Sequence, residues 1–135
     1  MTDVVATNQT ILVVGGGISG MTAALEAAET GKDVVLLEKN PSVGGRVSQL
    51  YRYFPKLCHP TCGMEINLKR MKANKRLRLV TMAEVARIDG EPGNYTATVR
   101  VRPRFVNESC TACGDCAKAV EAEFDDEYNL SLIHI

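Results

Sequence analysis

The chain has 135 residues, a formal net charge of zero at pH 7 and 45% hydrophobic residues. This length leaves room for one domain with its own core, and the composition is ordinary for a globular protein. Because the chain is neutral, neither nucleic acid nor an anionic membrane is expected as its main partner. No apolar run approaches the ~20 residues of a membrane-spanning helix.

The N-terminal residues, MTDVVATNQT, lack the basic region and apolar core of a secretory signal. We therefore expect a cytoplasmic protein. The chain contains five cysteines. In a cytoplasmic protein, cysteines favour metal or redox chemistry over a disulfide framework.

A strand, a helix and a second strand are predicted first. Residues 10–14 (TILVV) form a short apolar run, residues 21–30 are rich in alanine, and residues 34–37 (VVLL) form a second apolar run. Gly31 stands where a helix C-terminal glycine is expected. The order strand, helix, strand predicts that the two strands are parallel and joined by a right-handed crossover.

A dinucleotide-binding motif joins this strand to the helix. Gly15, Gly17 and Gly20 form G-x-G-x-x-G, in which the glycines allow a tight turn, close approach of a pyrophosphate and close helix–strand packing. Glu38 ends the second strand, where a carboxylate can bind both ribose hydroxyls and would repel a 2′-phosphate. The motif therefore predicts a dinucleotide other than NADP.

The residues after Glu38 favour FAD over NAD. Gly44, Gly45 and Arg46 follow Glu38 after five residues, and this E-x5-G-G-R arrangement resembles the N-terminus of two-dinucleotide-binding flavoproteins, the glutathione-reductase-like superfamily. In that superfamily the glycine pair lies along the pyrophosphate and the arginine helps to neutralise it. The cofactor-binding residues we predict are Gly15, Gly17, Ile18, Ser19, Gly20, Glu38, Lys39, Gly44, Gly45 and Arg46.

The middle of the chain is predicted to contain a loop, a helix and three strands. Residues 40–63 form the loop, and residues 64–78 are amphipathic with many basic side chains. We interpret these basic side chains as a solvated helix face; a docking surface for an acidic partner is the alternative. Residues 77–81 form a third strand, and residues 84–103 form a β-hairpin around the turn residues GEPGN.

Three cysteines near the C-terminus have the spacing of an iron–sulfur site. Cys110, Cys113 and Cys116 form C-x2-C-x2-C, which lets one loop hold three corners of a cluster. We predict a 4Fe-4S iron–sulfur cluster, with zinc binding or a coincidental spacing as alternatives. Val120 stands where the common bacterial pattern has its fourth cysteine.

The fourth cluster ligand has three possible sources. Cys58 or Cys62, from the loop LCHPTCG, is one of them. A cysteine in native sequence beyond this chain is another. The third possibility is a three-iron or labile cluster with no fourth protein ligand. Cys58 and Cys62 are otherwise interpreted as ordinary buried thiols or as a redox pair.

Three segments together resemble a known family. They are VVGGGISGMTAALEAAETGKDVVLLEKNPSVGGR, YFPKLCHPTCGMEINLKR and RPRFVNESCTACGDCAKAVEAEFDD. They resemble the A-type subunits of heterodisulfide reductase and their relatives, most closely the A-type subunits of quinone-interacting membrane-bound oxidoreductase complexes of sulfate reducers. The resemblance implies bound FAD and an iron–sulfur cluster in a ferredoxin-like insertion. It also implies partner subunits, one of them in the membrane, with adenylylsulfate reductase as a redox partner.

The predicted fold class is α/β, an incomplete Rossmann-like FAD-binding domain with a β-hairpin and the start of a ferredoxin-like insertion. We place the FAD-binding part at residues 9–109, the start of the insertion at 110–128 and a tail at 129–135. The tail contains LSLIHI, which resembles a translated sequencing adapter. We expect it to be non-native and the chain to be an N-terminal fragment that, expressed alone, is unstable or binds FAD weakly; a genuine short final strand is the alternative.

The predicted function is electron transfer between FAD and the cluster, and no catalytic acid, base or nucleophile stands out. One alternative is a flavoenzyme that oxidises a substrate or a nicotinamide cofactor. The other is a non-catalytic nucleotide- or zinc-binding module.

Overall fold

The computed structural model describes residues 2–4, 10–55, 57–104, 106 and 108–119. The chain divides into two compact units between Pro103 and Arg104. The predicted boundary between residues 109 and 110 lies inside the second unit, as does the tail, which is outside the described residues.

Within the described residues, the first unit contains two sheets and two α-helices, and the second contains one short helix. The strands are β1 (Thr2–Val4), β2 (Ile11–Val14), β3 (Val34–Leu37), β4 (Leu77–Val80), β5 (Ala83–Glu91) and β6 (Asn94–Val101). The helices are α1 (Ile18–Glu29), α2 (Pro60–Ala73) and α3 (Asp115–Lys118), and a 3₁₀ turn spans Gly45–Gln49.

The predicted parallel sheet is confirmed. Strands β2, β3 and β4 lie side by side in that order and are all parallel. All four residues of β3 are buried, as expected for a central strand covered on both faces. Helix α1 connects β2 to β3, and Gly31 follows its C-terminus with a φ of +91°. The predicted βαβ unit is therefore present.

Both helices start earlier than predicted. Helix α1 starts at Ile18 rather than at residue 21, because the last residues of the glycine motif form its first turn. Helix α2 spans Pro60–Ala73 rather than residues 64–78. Proline suits the first helical position, which needs no N–H partner. Asn74 ends α2, and its side chain accepts a hydrogen bond from the Arg76 N–H at 3.0 Å before β4 begins.

The predicted hairpin is confirmed. Strands β5 and β6 are antiparallel, with a bulge at Ala86. Strand β1, which the sequence did not predict, pairs with β6 and extends the hairpin into a second sheet.

Two hydrophobic clusters cover the parallel sheet. One joins α1, β3 and α2 through Met21, Leu25, Val34, Leu36 and Met71. The other joins β3 to the hairpin through Val35, Leu37, Ala83 and Val99. Successive β3 residues therefore face opposite clusters, as the two-residue period of a strand requires.

An ion-pair cluster joins the two long helices. Arg70 of α2 donates to Glu29 of α1 at 2.8 Å and to Glu26 at 3.0 Å. The hydrogen bond from Arg70 holds the pKa of the Glu29 carboxyl below its ordinary value of 4.5. The hydrogen bonds to Glu29 and Glu26 raise the pKa of the Arg70 guanidinium.

Among the described residues, no helix is long and apolar enough to cross a membrane.

The lowered pKa of Glu29 predicts a pH-dependent contribution to folding. A carboxyl whose folded-state pKa is lowered stabilises the fold above its unfolded-state pKa and loses that contribution as the pH falls through the folded-state value. Arg70→Met should therefore lower the melting temperature slightly at pH 7, and its difference from wild type should shrink below pH 4.5. Lys69→Met, at an exposed neighbouring residue, is the control and should show no such trend. A difference for Arg70→Met that is independent of pH would exclude this contribution.

Candidate FAD-binding site

The first glycine turn lies at the N-terminus of α1. Gly15 has a φ of +105°, and its N–H donates to the Leu37 oxygen at 2.8 Å. Gly17 is the N-cap of α1, and no side chain caps this helix end. The helix N-terminus therefore offers backbone N–H groups and the positive end of its dipole to an anion.

Gly20 allows the helix to approach the turn closely. A Cβ atom at this position would lie 1.9 Å from the carbonyl oxygen of Gly15. Such a distance is far inside van der Waals contact, and the atom in the way belongs to the backbone. Glycine at residue 20 therefore has the packing role that the motif predicted.

The second glycine turn lies beside the first. Gly44 has a φ of +118°, and its N–H donates to the Gly16 oxygen at 2.8 Å. Gly44 and Gly17 form a parallel β-bridge. A Cβ on Gly45 would lie 3.1 Å from the Gly17 Cα. The two glycine groups that are separated in the sequence thus meet at one place.

The space next to Gly17 is open. A Cβ atom on Gly17 would have no heavy atom within 4 Å. Lys39 and Arg46, the basic residues predicted to bind the cofactor, are both exposed. Open backbone at a helix N-terminus, a second glycine turn beside it and nearby positive charge fit a pyrophosphate group.

Glu38 lies at the end of β3 and is 6% exposed. Its Oε2 accepts a hydrogen bond from the Gly16 N–H at 2.6 Å, and its Oε1 accepts one from the Asn40 N–H at 2.8 Å. The sequence predicted only a ribose contact for this carboxylate. The backbone contact to Gly16 was missed, although three consecutive glycines were a signal that a side chain packs there.

Helix α2 brings the Cys58–Cys62 segment to the second glycine turn. A Cβ on Gly44 would lie 2.7 Å from the Met64 Cε, so the first turns of α2 pack against this glycine. Cys62 is exposed in the first turn of α2, and half-buried Cys58 precedes the helix and pairs with Tyr53. The segment therefore lies on the glycine-turn side of the first unit.

Cys110, Cys113 and Cys116 lie in the second unit. All three are free and exposed. The Ala112 N–H donates to the Cys110 Sγ at 3.4 Å, and Ala112 has a φ of +56°. An N–H group directed at sulfur fits a thiolate that ligates a cluster. However, no group of three His, Cys, Asp or Glu residues is close enough to hold a metal within the described part of the chain. The cluster therefore stays a prediction.

Comparison with known families supports a flavin site. The family profile described as FAD dependent oxidoreductase matches residues 10–115. That range includes both glycine turns and Glu38, together with two of the three cysteines of the second unit.

The chain is similar to curated A-type iron-sulfur subunits of heterodisulfide reductase. The chain is 39% identical over 122 residues to the second A-type iron-sulfur subunit of the CoB--CoM heterodisulfide reductase of Methanopyrus kandleri, covering 90% of this chain and 19% of that protein. It is 38% identical over 133 residues to the A-type iron-sulfur subunit of the same enzyme of Methanocaldococcus jannaschii, covering 96% of this chain and 20% of that protein. The chain therefore spans about a fifth of the length of these relatives.

A solved structure supports the fold. Thioredoxin reductase of T. acidophilum superposes with a TM-score of 0.52 and 22% sequence identity, covering 67% of this chain and 30% of that one. At this identity the similarity shows a shared α/β fold and nothing about the substrate.

Proposed function

Because the chain belongs to the FAD-dependent oxidoreductase family, we propose that it binds FAD across the two glycine turns and carries electrons between the flavin and an iron–sulfur cluster. The observation that supports this most is the pairing of Gly44 with Gly17 beside the uncapped N-terminus of α1. The first turn would bind one side of the pyrophosphate and the second turn the other. Glu38, at the end of β3, would bind the adenosine ribose.

In this proposal Cys110, Cys113 and Cys116 hold the cluster. Their spacing and the N–H group directed at Cys110 Sγ support this assignment. When bound, a flavin exchanges electrons singly or in pairs and a cluster exchanges them one at a time. The protein's own task is to hold the two groups and to tune their potentials by burial and hydrogen bonds. The fourth ligand would come from Cys58, Cys62 or sequence outside this chain.

We also propose that the chain works as a cytoplasmic component of a larger electron-transfer complex. The similarity to proteins named as heterodisulfide reductase subunits supports this. A sulfate-reduction-type complex, with adenylylsulfate reductase and a membrane protein as partners, is the specific form we propose. Purification of the native complex through this protein should bring down adenylylsulfate reductase activity, and its absence from an otherwise intact complex would contradict the specific form.

The cluster ligands can be tested by substitution. Cys113→Ser should remove most of the iron and acid-labile sulfide, because a hydroxyl is a much poorer ligand than a thiolate. Iron and sulfide would be measured per mole of anaerobically purified protein, together with bound FAD. FAD content should stay close to that of wild type, since Cys113 and the glycine turns lie in separate units.

Thr111→Ala is the matched control, because Thr111 is an exposed residue between two of the cysteines. It should retain its iron. Full iron and sulfide in Cys113→Ser would exclude Cys113 as a ligand. Zinc in place of iron in the wild-type protein would exclude the cluster itself.

A further inference from the structure

We propose that Glu38 is a positioning residue that fixes the first glycine turn before any cofactor binds, and that Gly16 is glycine because this carboxylate needs its space. The proposal rests on the FAD site proposed above and adds a second role for the acid. In this role Glu38 acts through the Gly16 amide, in addition to any direct contact with ribose.

The carboxylate is buried and bound to the backbone at both oxygens. Glu38 is 6% exposed, and its Oε2 accepts the Gly16 N–H at 2.6 Å. Its Oε1 accepts the Asn40 N–H at 2.8 Å. Hydrogen bonds to a charged acceptor are among the stronger ones in proteins, and their loss in a buried position is costly. The carboxylate therefore holds the middle residue of the first G-x-G turn.

Glu38 is itself held firmly by its main chain. Its N–H donates to the Val80 oxygen at the end of β4, and its carbonyl oxygen accepts the Ala83 N–H at the start of β5, each at 2.9 Å. The residue thus lies where the parallel sheet meets the hairpin. A side chain on such a rigid base can fix the glycine turn, whose residues have no side chains of their own.

Gly16 is glycine for a steric reason. A Cβ at this position would lie 2.9 Å from the Glu38 Oε2 and 2.9 Å from the Val43 Cγ1. Gly16 is buried and, unlike Gly15, does not have a positive φ. The space taken by the Glu38 and Val43 side chains, and not the backbone conformation, therefore explains the glycine.

The Glu38 carboxylate can bind a cofactor while it accepts both backbone N–H groups. A carboxylate has two oxygens with about four acceptor positions, and the two N–H groups use two of them. The remaining positions can accept the ribose hydroxyls of a dinucleotide. Positioning and ribose binding are thus compatible in one side chain, and they can be separated by experiment.

The first experiment needs no cofactor. Hydrogen exchange of the peptide containing residues 12–20 would be measured in FAD-free protein. Glu38→Gln retains the shape, but it is uncharged and its amide N–H2 must face one of the two N–H groups, so any hydrogen bond that remains to the Gly16 N–H is weaker than the one to the carboxylate. Exchange at this peptide should become about tenfold faster or more. Glu65→Gln, at an exposed acid on α2, is the control and should leave it unchanged.

A second variant and a control peptide show whether faster exchange at residues 12–20 is caused by misfolding. Glu38→Asp retains the charge but is one methylene shorter, so it should also release the Gly16 amide. The exchange of a hairpin peptide, residues 94–101, would report whether each variant remains folded. Unchanged exchange at residues 12–20 in a folded Glu38→Gln or Glu38→Asp variant would overturn the proposal.

The second experiment separates positioning from ribose contact. Binding of ADP and of 2′,3′-dideoxy-ADP would be measured by calorimetry in wild-type protein and in Glu38→Gln. If the acid acts only through ribose, the variant and wild type should bind the dideoxy probe equally. We expect Glu38→Gln to weaken dideoxy-ADP binding as well, by about fivefold or more. Equal binding of dideoxy-ADP would overturn the positioning role.

The two proposals can fail separately. Wild-type protein that binds neither FAD nor ADP would contradict the proposed function, while the exchange experiment would still test the role of Glu38. Tight FAD binding combined with unchanged exchange in Glu38→Gln would contradict only the positioning role.

Discussion

Gly20→Ala should destabilise the first unit by about 3 kcal/mol or more, the largest effect on folding that we expect. The added Cβ would lie 1.9 Å from the Gly15 oxygen. Neither atom can move without shifting α1 away from the glycine turn, because both belong to or adjoin the backbone. Met21 and Leu25, which are fully buried on α1, would move with the helix. Urea denaturation followed by circular dichroism would measure the loss.

Gly63→Ala is the matched control for Gly20→Ala. Gly63 is also a helical glycine, but its Cβ would lie 3.4 Å from the Tyr53 hydroxyl, an ordinary contact. Alanine should stabilise this helix by roughly 0.5–1 kcal/mol, since glycine is the poorer helix former. Equal stabilities for the two variants would mean that the close approach at Gly20 is wrong.

Gly17→Ala, unlike Gly20→Ala, should have little effect on the stability of the fold and a large effect on FAD binding. Gly17 has a φ of −69°, and its Cβ would meet no heavy atom within 4 Å. The free energy of unfolding should therefore change by no more than about 1 kcal/mol, chiefly because alanine is a poor N-cap. The same methyl group would occupy the space proposed for the pyrophosphate.

The predicted loss of FAD affinity for Gly17→Ala is about a hundredfold, corresponding to one or two lost charge-assisted hydrogen bonds. Flavin fluorescence titration would measure it in wild-type and variant apoprotein. Ala23→Ser, at an exposed residue of α1, should bind FAD as wild type does. A folded Gly17→Ala protein with wild-type affinity would place the pyrophosphate elsewhere.

The sequence predicted the parts of the fold that depend on local pattern. The apolar runs of β2, β3 and β4, the alanine-rich α1 and the turn residues of the hairpin each carry a signal within a short window. The start of α2 was missed because Pro60 and the cysteines on either side of it, Cys58 and Cys62, were interpreted as loop. Strand β1 was missed because its three residues form a strand by pairing with β6.

The candidate site was predicted in its composition but only partly in its contacts. Two glycine groups and an acid at fixed spacings predicted a dinucleotide site, and the structure brings these residues together. The bridge between Gly17 and Gly44 depends on how two loops come together. The Gly16–Glu38 hydrogen bond joins residues that are 22 positions apart. Contacts of this kind follow from packing, which sequence spacing alone does not specify.

Whether one protein holds both FAD and an iron–sulfur cluster is decided by the cofactor content of anaerobically purified protein. We expect a yellow-brown protein whose absorbance is bleached by dithionite. It should release FAD on denaturation and contain iron and acid-labile sulfide in equal amounts. A colourless protein that contains zinc, with neither FAD nor iron, would contradict this expectation.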